Sequence, residues 1–423
     1  MSYGPAAGAG GDRAVDVARP VNATAMSEAV LRWIAGEAAR LPTPCYVYDA
    51  AELRRSYDTL AALVPRARIL YAMKANPQPA LVGTLHRHGA GAEVGSEVEY
   101  EAARAAGVPS AAIVLGGISR TRAFVAAACG EGAAAFVLES ARDLDLVPER
   151  SAVPVLVRVR PPLPEGVRVD PAGWFGLELP EAIDIVRELA RRRLDFAGMH
   201  FHAGTQKLDG RLVVEAVDRL VVALRALRAA GLHPRVVNFG PGLGVPYRAD
   251  DRPLDEGALG PVFTQLEEAL GDATLWIETG RRLVASAGVY VTRVVNTKRI
   301  DGKPYAFVDG GLNVHNPGIG LGRMLHANPR FAFPGVSGPA HASVQLVGSL
   351  CTAADLLGRD VPAPELREGD LVAVLNSGAY CATSAMWGFN SRPLFAEILL
   401  PVEGPAVTLE PQHARLRPDG VRS

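Results

Sequence analysis

One rhythm constrains this chain more than any other feature. Between Arg68 and Glu278, short apolar runs alternate with longer stretches that carry apolar residues at helical spacing. The runs are Ile69–Met73, Ala90–Gly95, Ala112–Gly116, Ala135–Leu138, Val153–Val159, Phe196–His202, Arg235–Phe239 and Thr274–Glu278. Their length and their β-rich composition predict strands. The segments Pro79–His88, Glu97–Ala106, Arg122–Gly130, Glu181–Arg192 and Leu212–Ala230 predict amphipathic helices between them. Strands that alternate with helices lie parallel, and eight such units within roughly 220 residues close into a (β/α)8 barrel of the TIM type. An open doubly wound sheet is the competing α/β arrangement. It lacks support, because no GxGxxG follows the first strand.

The pattern changes after about Ala285. Val289–Val295, Tyr305–Val308, Ala342–Val347, Leu371–Leu375 and Phe395–Leu399 read as strands divided by Pro and Gly clusters rather than by helices. The expected organisation is therefore a disordered leader over 1–25, an N-terminal segment over 26–50 that packs with the second domain, a barrel over 51–285 and a mostly-β domain over 286–423. Ser27 to Ala39 predicts a helix, and the strand near Tyr46 is free to join the later sheet.

Several function classes are disfavoured by the totals. A formal net charge of -1 gives no reason to expect nucleic acid or an anionic membrane as partner. The apolar stretches fall well short of a bilayer span. The leader has no basic segment followed by an apolar one, so it does not read as a signal peptide. Cys45, Cys129, Cys351 and Cys381 show neither CxxC spacing nor disulfide density, which fits reduced thiols in the cytoplasm. His200 and His202 sit two apart, but no third ligand lies near, so no metal is expected.

In barrels of this kind, chemistry gathers on the loops at the carboxyl ends of the strands. Those ends carry Lys74; Glu93 and Ser96; Gly116, Gly117 and Ser119; Glu139; Arg158 and Arg160; His202, Gly204 and Thr205; Gly240-Pro241-Gly242-Leu243-Gly244; and Glu278, Gly280 and Arg281. A lysine ending a buried strand is costly to desolvate, yet burial suits an amine that must lose its proton to attack a carbonyl. The glycine run after the seventh strand, with Arg281 after the eighth, occupies the usual phosphate position of a barrel. Loop N–H groups unobstructed by side chains approach phosphate oxygens, and Arg281 adds a two-pronged donor. An imine-forming lysine, a phosphate cradle, an aromatic ring on His202 and a carboxylate on Glu278 together meet the needs of pyridoxal 5′-phosphate. A carboxylate at the ring nitrogen keeps it protonated and makes the ring a strong electron sink, which favours decarboxylation over racemisation.

These residues carry a family resemblance. The chain resembles the fold-type III pyridoxal-phosphate decarboxylases, which have an alanine racemase-like barrel and include the ornithine/arginine and diaminopimelate enzymes. The likeness runs from Thr43 to Leu400 and rests on Tyr71-Ala-Met-Lys74-Ala-Asn76, Gly91-Ala-Glu93-Val-Gly-Ser96, His200-Phe-His202-Ala-Gly204-Thr205-Gln206, Gly240-Pro-Gly242, Glu278-Thr-Gly280-Arg281, Asp309-Gly310-Gly311, Cys351 and Gly378-Ala379-Tyr380. It implies that Lys74 forms the imine, that His202 stacks on the ring and that Glu278, supported by Arg158, binds the ring nitrogen. Glu93 belongs to the same cofactor set. Thr205, Gly242, Arg281 and Tyr380 would surround the phosphate, with Gly240 and Gly280 also in the cofactor-binding set. The resemblance also implies a head-to-tail homodimer in which Cys351 and Asp355 reach the other subunit's site. Cys351 would then be the acid that protonates the α-carbon, and Asp355 and Arg323 are candidates for gripping the distal end of an amino acid substrate, a surface salt bridge being the alternative role for each.

Two departures bear on substrate. Diaminopimelate enzymes place a glutamate, and ornithine enzymes an aspartate, directly after the cysteine; here Thr352 stands there. The surrounding sequence looks more like specialised-metabolism branches, including decarboxylases of glutamate tethered to an acyl-carrier protein and siderophore-pathway decarboxylases. Pro241 in the phosphate turn also removes one N–H donor. Rival readings are a free diaminopimelate- or ornithine-type decarboxylase, a racemase of the same fold and a non-catalytic regulator.

Overall fold

A computed structural model describes residues 25–160, 174–316, 327–340 and 342–411. The expected leader over 1–25, apart from its last residue, and Arg323 lie outside the described residues.

The described residues begin with the helix Ala25–Gly36 and the strand β1 (Cys45–Asp49). Eight parallel strands then close on themselves: β2 (Arg68–Ala72), β3 (Gly91–Val94), β4 (Ile113–Leu115), β5 (Ala135–Leu138), β6 (Val155–Arg158), β7 (Phe196–His202), β8 (Val236–Gly240) and β9 (Thr274–Thr279). β9 returns to β2 in parallel register, with Leu70 opposite Glu278. The barrel expected from the strand rhythm is present. The helices start where the sequence supplies caps: Asp49, Ser96, Thr121 and Asp209 each accept a backbone N–H at a helix start.

Alternation along the strands separates two packed layers. Leu70, Val114, Ala135, Val137, Leu156, Ala197 and Trp276 form a cluster that fills the barrel interior. Their neighbours Ile69, Tyr71, Ile113, Leu115 and Phe136 pack outward with the helices. Two residues beyond Val137, Leu156 and Trp276 stand Glu139, Arg158 and Glu278. The inward face thus changes from apolar to charged towards the carboxyl ends of the strands, which places the polar chemistry at one mouth.

The later strands are β10 (Gly288–Ile300), β11 (Lys303–Val308), β12 (Phe331–Ala332), β13 (Ala342–Val347), β14 (Leu356–Ala363), β15 (Leu371–Val374), β16 (Ala396–Leu400) and β17 (Val407–Leu409). They form a sheet of order β14-β13-β11-β10-β1-β16-β17, with β15 pairing both β10 and β12. β1 lies in its middle, antiparallel to β10 and parallel to β16. The sequence reading missed β14. Its Arg359-Asp360 pair and Pro362 mask the alternation that a half-buried strand shows.

Candidate active site

The mouth of the barrel is built around a short helical turn, Met73–Ala75, which continues β2. Its Lys74 is flanked by buried residues on both sides. The side chain is half exposed into a cleft lined by Ala72, His202, Thr205, Gly242, Glu278 and Arg281, with Tyr380 closing it. Lys74 Nζ lies 3.4 Å from Glu278 Oε1 and 3.9 Å from Glu93 Oε2.

Two buried carboxylates share this one ammonium, and the charge balance decides each protonation state. Burial pulls the lysine pKa down, but the Glu93 and Glu278 carboxylates outweigh it and hold Lys74 above its ordinary range. The sequence expectation of a depressed lysine is thereby reversed, because the strand ends supply two anions. Glu93 is pushed up to about 8 by its own burial and by the neighbouring Glu278 carboxylate, with Lys74 opposing. Burial acts upward on Glu278 too, but Lys74 and His200 overcome it and keep its pKa well below the usual glutamate range. His202 is held well below an ordinary histidine by burial and by the Lys74 charge, so its ring is neutral.

The supports behind Glu278 differ from those expected. His200 Nε2 lies 3.0 Å from Glu278 Oε2, and Asn238 Nδ2 donates to the same oxygen at 3.3 Å. Arg158, expected in that role, is instead paired with Glu139, whose other oxygen accepts from Gly176 N at 3.1 Å. Glu139 sits two residues beyond Val137 on the inward face, so the carboxyl end of β5 claims the guanidinium of the neighbouring β6. The missed residues had a signal. His200 and Asn238 are opposite each other in the β7–β8 register, on the inward face that carries His202 and Gly240.

Three glycines in the expected set are where a side chain has no room. A Cβ on Gly240 would fall 2.2 Å from His202 Nδ1, forcing the ring away from the cleft. One on Gly242 (φ 74°) would fall 2.2 Å from Gly204 O. One on Gly280 would fall 2.7 Å from Ala75 Cβ, beside Lys74. Gly116 has the same relation to Glu93 Oε1, at 2.0 Å. Arg281 is buried; its Nη1 donates to Tyr247 Oη at 2.8 Å, and its guanidinium carbon lies 4.7 Å from the Tyr380 ring centre. Thr205 joins the same cleft.

Tyr380 reaches the mouth from the second half of the same chain. Its N–H donates to Ala75 O at 2.7 Å, and Asn76 Nδ2 donates to Gly378 O at 2.9 Å. These bonds tie the Lys74 turn to the loop after β15. Asn76 also donates to Tyr48 Oη at 3.2 Å, and Tyr48 donates to the fully buried Glu397 at 2.9 Å.

Cys351 and Asp355 lie elsewhere. Cys351 is exposed, does not line the Lys74 cleft of its own chain and has its N–H held by Asn390 Oδ1 at 3.0 Å. Asp355, expected to grip substrate, is buried instead. It accepts from Leu312 N and Leu350 N, each at 2.7 Å. Its carboxylate fills the space that Gly311 and Gly348 leave, where a Cβ would approach to 2.2 Å. The side chain is committed to joining two turns, which removes it from the substrate-contacting set.

Residues 50–285 match the family described as pyridoxal-dependent decarboxylase, pyridoxal binding domain. The chain is 31% identical to the L-glutamyl-[BtrI acyl-carrier protein] decarboxylase of Niallia circulans, covering 85% of this chain and 89% of that protein. It is 32% identical to the diaminopimelate decarboxylase of Pseudomonas aeruginosa, over 86% of this chain and 89% of the relative. Among solved structures, diaminopimelate decarboxylase from Helicobacter pylori complexed with L-lysine superposes with a TM-score of 0.76 at 25% identity, covering 88% of this chain and 94% of that one.

Proposed function

The chain belongs to the pyridoxal-dependent decarboxylase family, and from that premise we propose that it decarboxylates a glutamyl-type unit tethered to an acyl-carrier protein, using a site shared between two copies of the chain. One observation carries the substrate reading. The Cys351 loop offers Thr352 where free diamino acid decarboxylases keep an acid, and its one nearby carboxylate, Asp355, is occupied by the Leu312 and Leu350 N–H groups. No carboxylate of that loop is left to meet a cationic distal end. The likeness to the Niallia circulans enzyme supports the same reading.

The residues present fit pyridoxal 5′-phosphate. Lys74 would hold its aldehyde carbon, His202 one ring face and Glu278 the ring nitrogen. The Gly240–Gly242 turn, Thr205, Arg281 and Tyr380 would hold its phosphate. The His202 ring lies against the gap at Gly240, and Lys74 and Glu278 open onto the same cleft as Thr205, Gly242 and Arg281. When bound, this cofactor supplies the conjugated system that takes up the electron pair left as carbon dioxide departs.

The chain's own groups then have defined tasks. Lys74 and His200 keep the Glu278 pKa low in the cofactor-free chain, and as a carboxylate it would favour a proton on the ring nitrogen. His202, being neutral, would stack without adding a competing charge. Asn238 and His200 fix the carboxylate's direction. The bond between the substrate α-carbon and its carboxyl carbon breaks, carbon dioxide leaves, and the Sγ–H proton of Cys351 of the partner subunit passes to the α-carbon. Exposure of Cys351 outside its own chain's cleft supports that assignment to a second copy.

The test is direct. Purified protein is incubated with L-glutamyl-loaded carrier protein, free glutamate, meso-diaminopimelate and ornithine, with carbon dioxide and product mass as readouts. The proposal expects turnover of the loaded carrier and at least about tenfold lower kcat/KM for every free amino acid. Faster release from diaminopimelate or ornithine would replace it with the free diamino acid reading.

A further inference from the structure

Lys207 is a buried cation that the proposed chemistry has not used. It lies in the loop after β7 and is 7% exposed. That loop is already stitched to the loop after β8 without any ammonium. Gln206 (φ 57°) donates through Nε2 to Val245 O at 2.6 Å and accepts from Val245 N at 3.1 Å. Lys207 N donates to Gly242 O, and Gly244 N to Lys207 O, each at 2.9 Å. An apolar side chain would complete this packing with no charge to desolvate, so a lysine here calls for a reason beyond packing.

The surroundings of Nζ supply one. It donates to Ala203 O and, at 3.0 Å, to Pro241 O. It also lies against the two left-handed glycines of the cradle. A Cβ on Gly242 would fall 3.1 Å from Nζ, and one on Gly204 (φ 99°) 3.5 Å from it. Pro241 has no N–H to offer an anion, and its carbonyl is a negative end of a dipole within the same turn. An ammonium behind the turn draws both carbonyl oxygens onto itself and adds a positive charge where a donor is missing.

We propose that Lys207 is a positioning residue for the cofactor phosphate, acting from behind the Pro241–Gly242 turn to make a proline-containing cradle hospitable to a dianion. The ammonium orients Ala203 O and Pro241 O and lends charge to the site, while Arg281 and the glycine N–H groups make the contacts. The inference rests on placing the phosphate at this cradle.

The test is equilibrium binding of pyridoxal 5′-phosphate and of pyridoxal, which lacks the phosphate, to cofactor-stripped full-length protein. Binding is followed by absorbance and by quenching of protein fluorescence. Wild type, Lys207→Met, Lys207→Gln and Gln206→Ala are compared, with circular dichroism confirming the fold. Wild type is expected to prefer the phosphorylated ligand. Lys207→Met should weaken pyridoxal 5′-phosphate about 10- to 100-fold and leave pyridoxal unchanged. Lys207→Gln, which keeps hydrogen bonds without charge, should show the same selective loss to a smaller degree and carries the test if the Met variant does not fold. Gln206→Ala should affect both ligands alike. Equal loss of both ligands in the Lys207 variants would make the lysine structural only, and an unchanged phosphate preference would also overturn the proposal. A wild type that binds both ligands equally would instead refute the placement of the phosphate itself.

Discussion

The barrel mouth and the Cys351 loop both carry reactive groups, but they hold them in opposite ways. At the mouth, Lys74 lies between Glu93 and Glu278, and Glu278 is backed by His200 and Asn238. In the loop, the Cys351 thiol is exposed, and only the backbone around it is secured, by Asp355 and Asn390. Charges that are buried need partners inside one chain, because an unpaired one is costly to desolvate. A neutral thiol carries no such demand and can be displayed on a turn. The difference is the one the proposal needs: the mouth secures its charged groups within one chain, whereas the thiol is displayed where a second copy could receive it.

Variants sharpen that contrast, beginning with the largest effect. Lys74→Ala should abolish the imine absorbance of the bound cofactor at the edge of the visible and lower kcat by at least about 10³-fold, as a lost covalent anchor does. A retained band would break the assignment of the mouth. Glu278→Gln removes the charge that holds the ring-nitrogen proton, and kcat should fall about 10²- to 10⁴-fold, measured as carbon dioxide release. Cys351→Ser should slow turnover by about 10- to 10³-fold while cofactor affinity, followed by titration, stays at the wild-type value. Weakened cofactor binding in that variant would place the thiol at its own chain's mouth after all.

The next effect concerns folding rather than turnover. Asp355→Ala leaves the Leu312 and Leu350 N–H groups without their acceptor and should cost about 1–3 kcal/mol per unpaired group in urea unfolding. It should also change the rate at which Cys351 reacts with iodoacetamide, since the turn that carries it loosens. A rise in KM with unchanged stability would restore Asp355 to the substrate-gripping role.

The smallest effect is a pH dependence of the cofactor-free protein. Glu93 titrates near 8 when folded against 4.5 for an ordinary glutamate, so the folded chain holds the extra proton between those values. Its contribution to stability therefore falls as pH rises from about 4.5 to about 8. Glu93→Gln should flatten that part of the Tm–pH curve, and an unchanged slope would show that the mouth is not strained by two carboxylates.

Most of the architecture and much of the cleft could be read from the chain itself, for a physical reason. Parallel barrel strands are buried on both faces and so appear as unbroken apolar runs, and the residues at their ends are those a barrel uses for chemistry. Lys74, His202, Gly240, Glu278 and Arg281 fall at such ends and meet at one cleft. What stayed hidden depends on which neighbour claims a group first. Arg158 and Glu139 were both visible at strand ends, but only the structure pairs them and leaves Glu278 to His200 and Asn238. Asp355 followed the motif of a substrate residue, while its burial beneath Gly311 and Gly348 depends on contacts distant in sequence. Lys207 gave no sequence signal, because a lysine after a strand normally points to solvent.

The shared-site account is tested most directly by mixing two inactive variants. Lys74→Ala and Cys351→Ala proteins are combined under conditions where subunits exchange, and carbon dioxide release is measured. If the mouth of one copy works with the Cys351 loop of another, half the dimers are mixed and each has one intact site, so activity should recover to about one quarter of wild type. No recovery, with exchange confirmed by differently tagged subunits, would place both groups in the same copy and contradict the account.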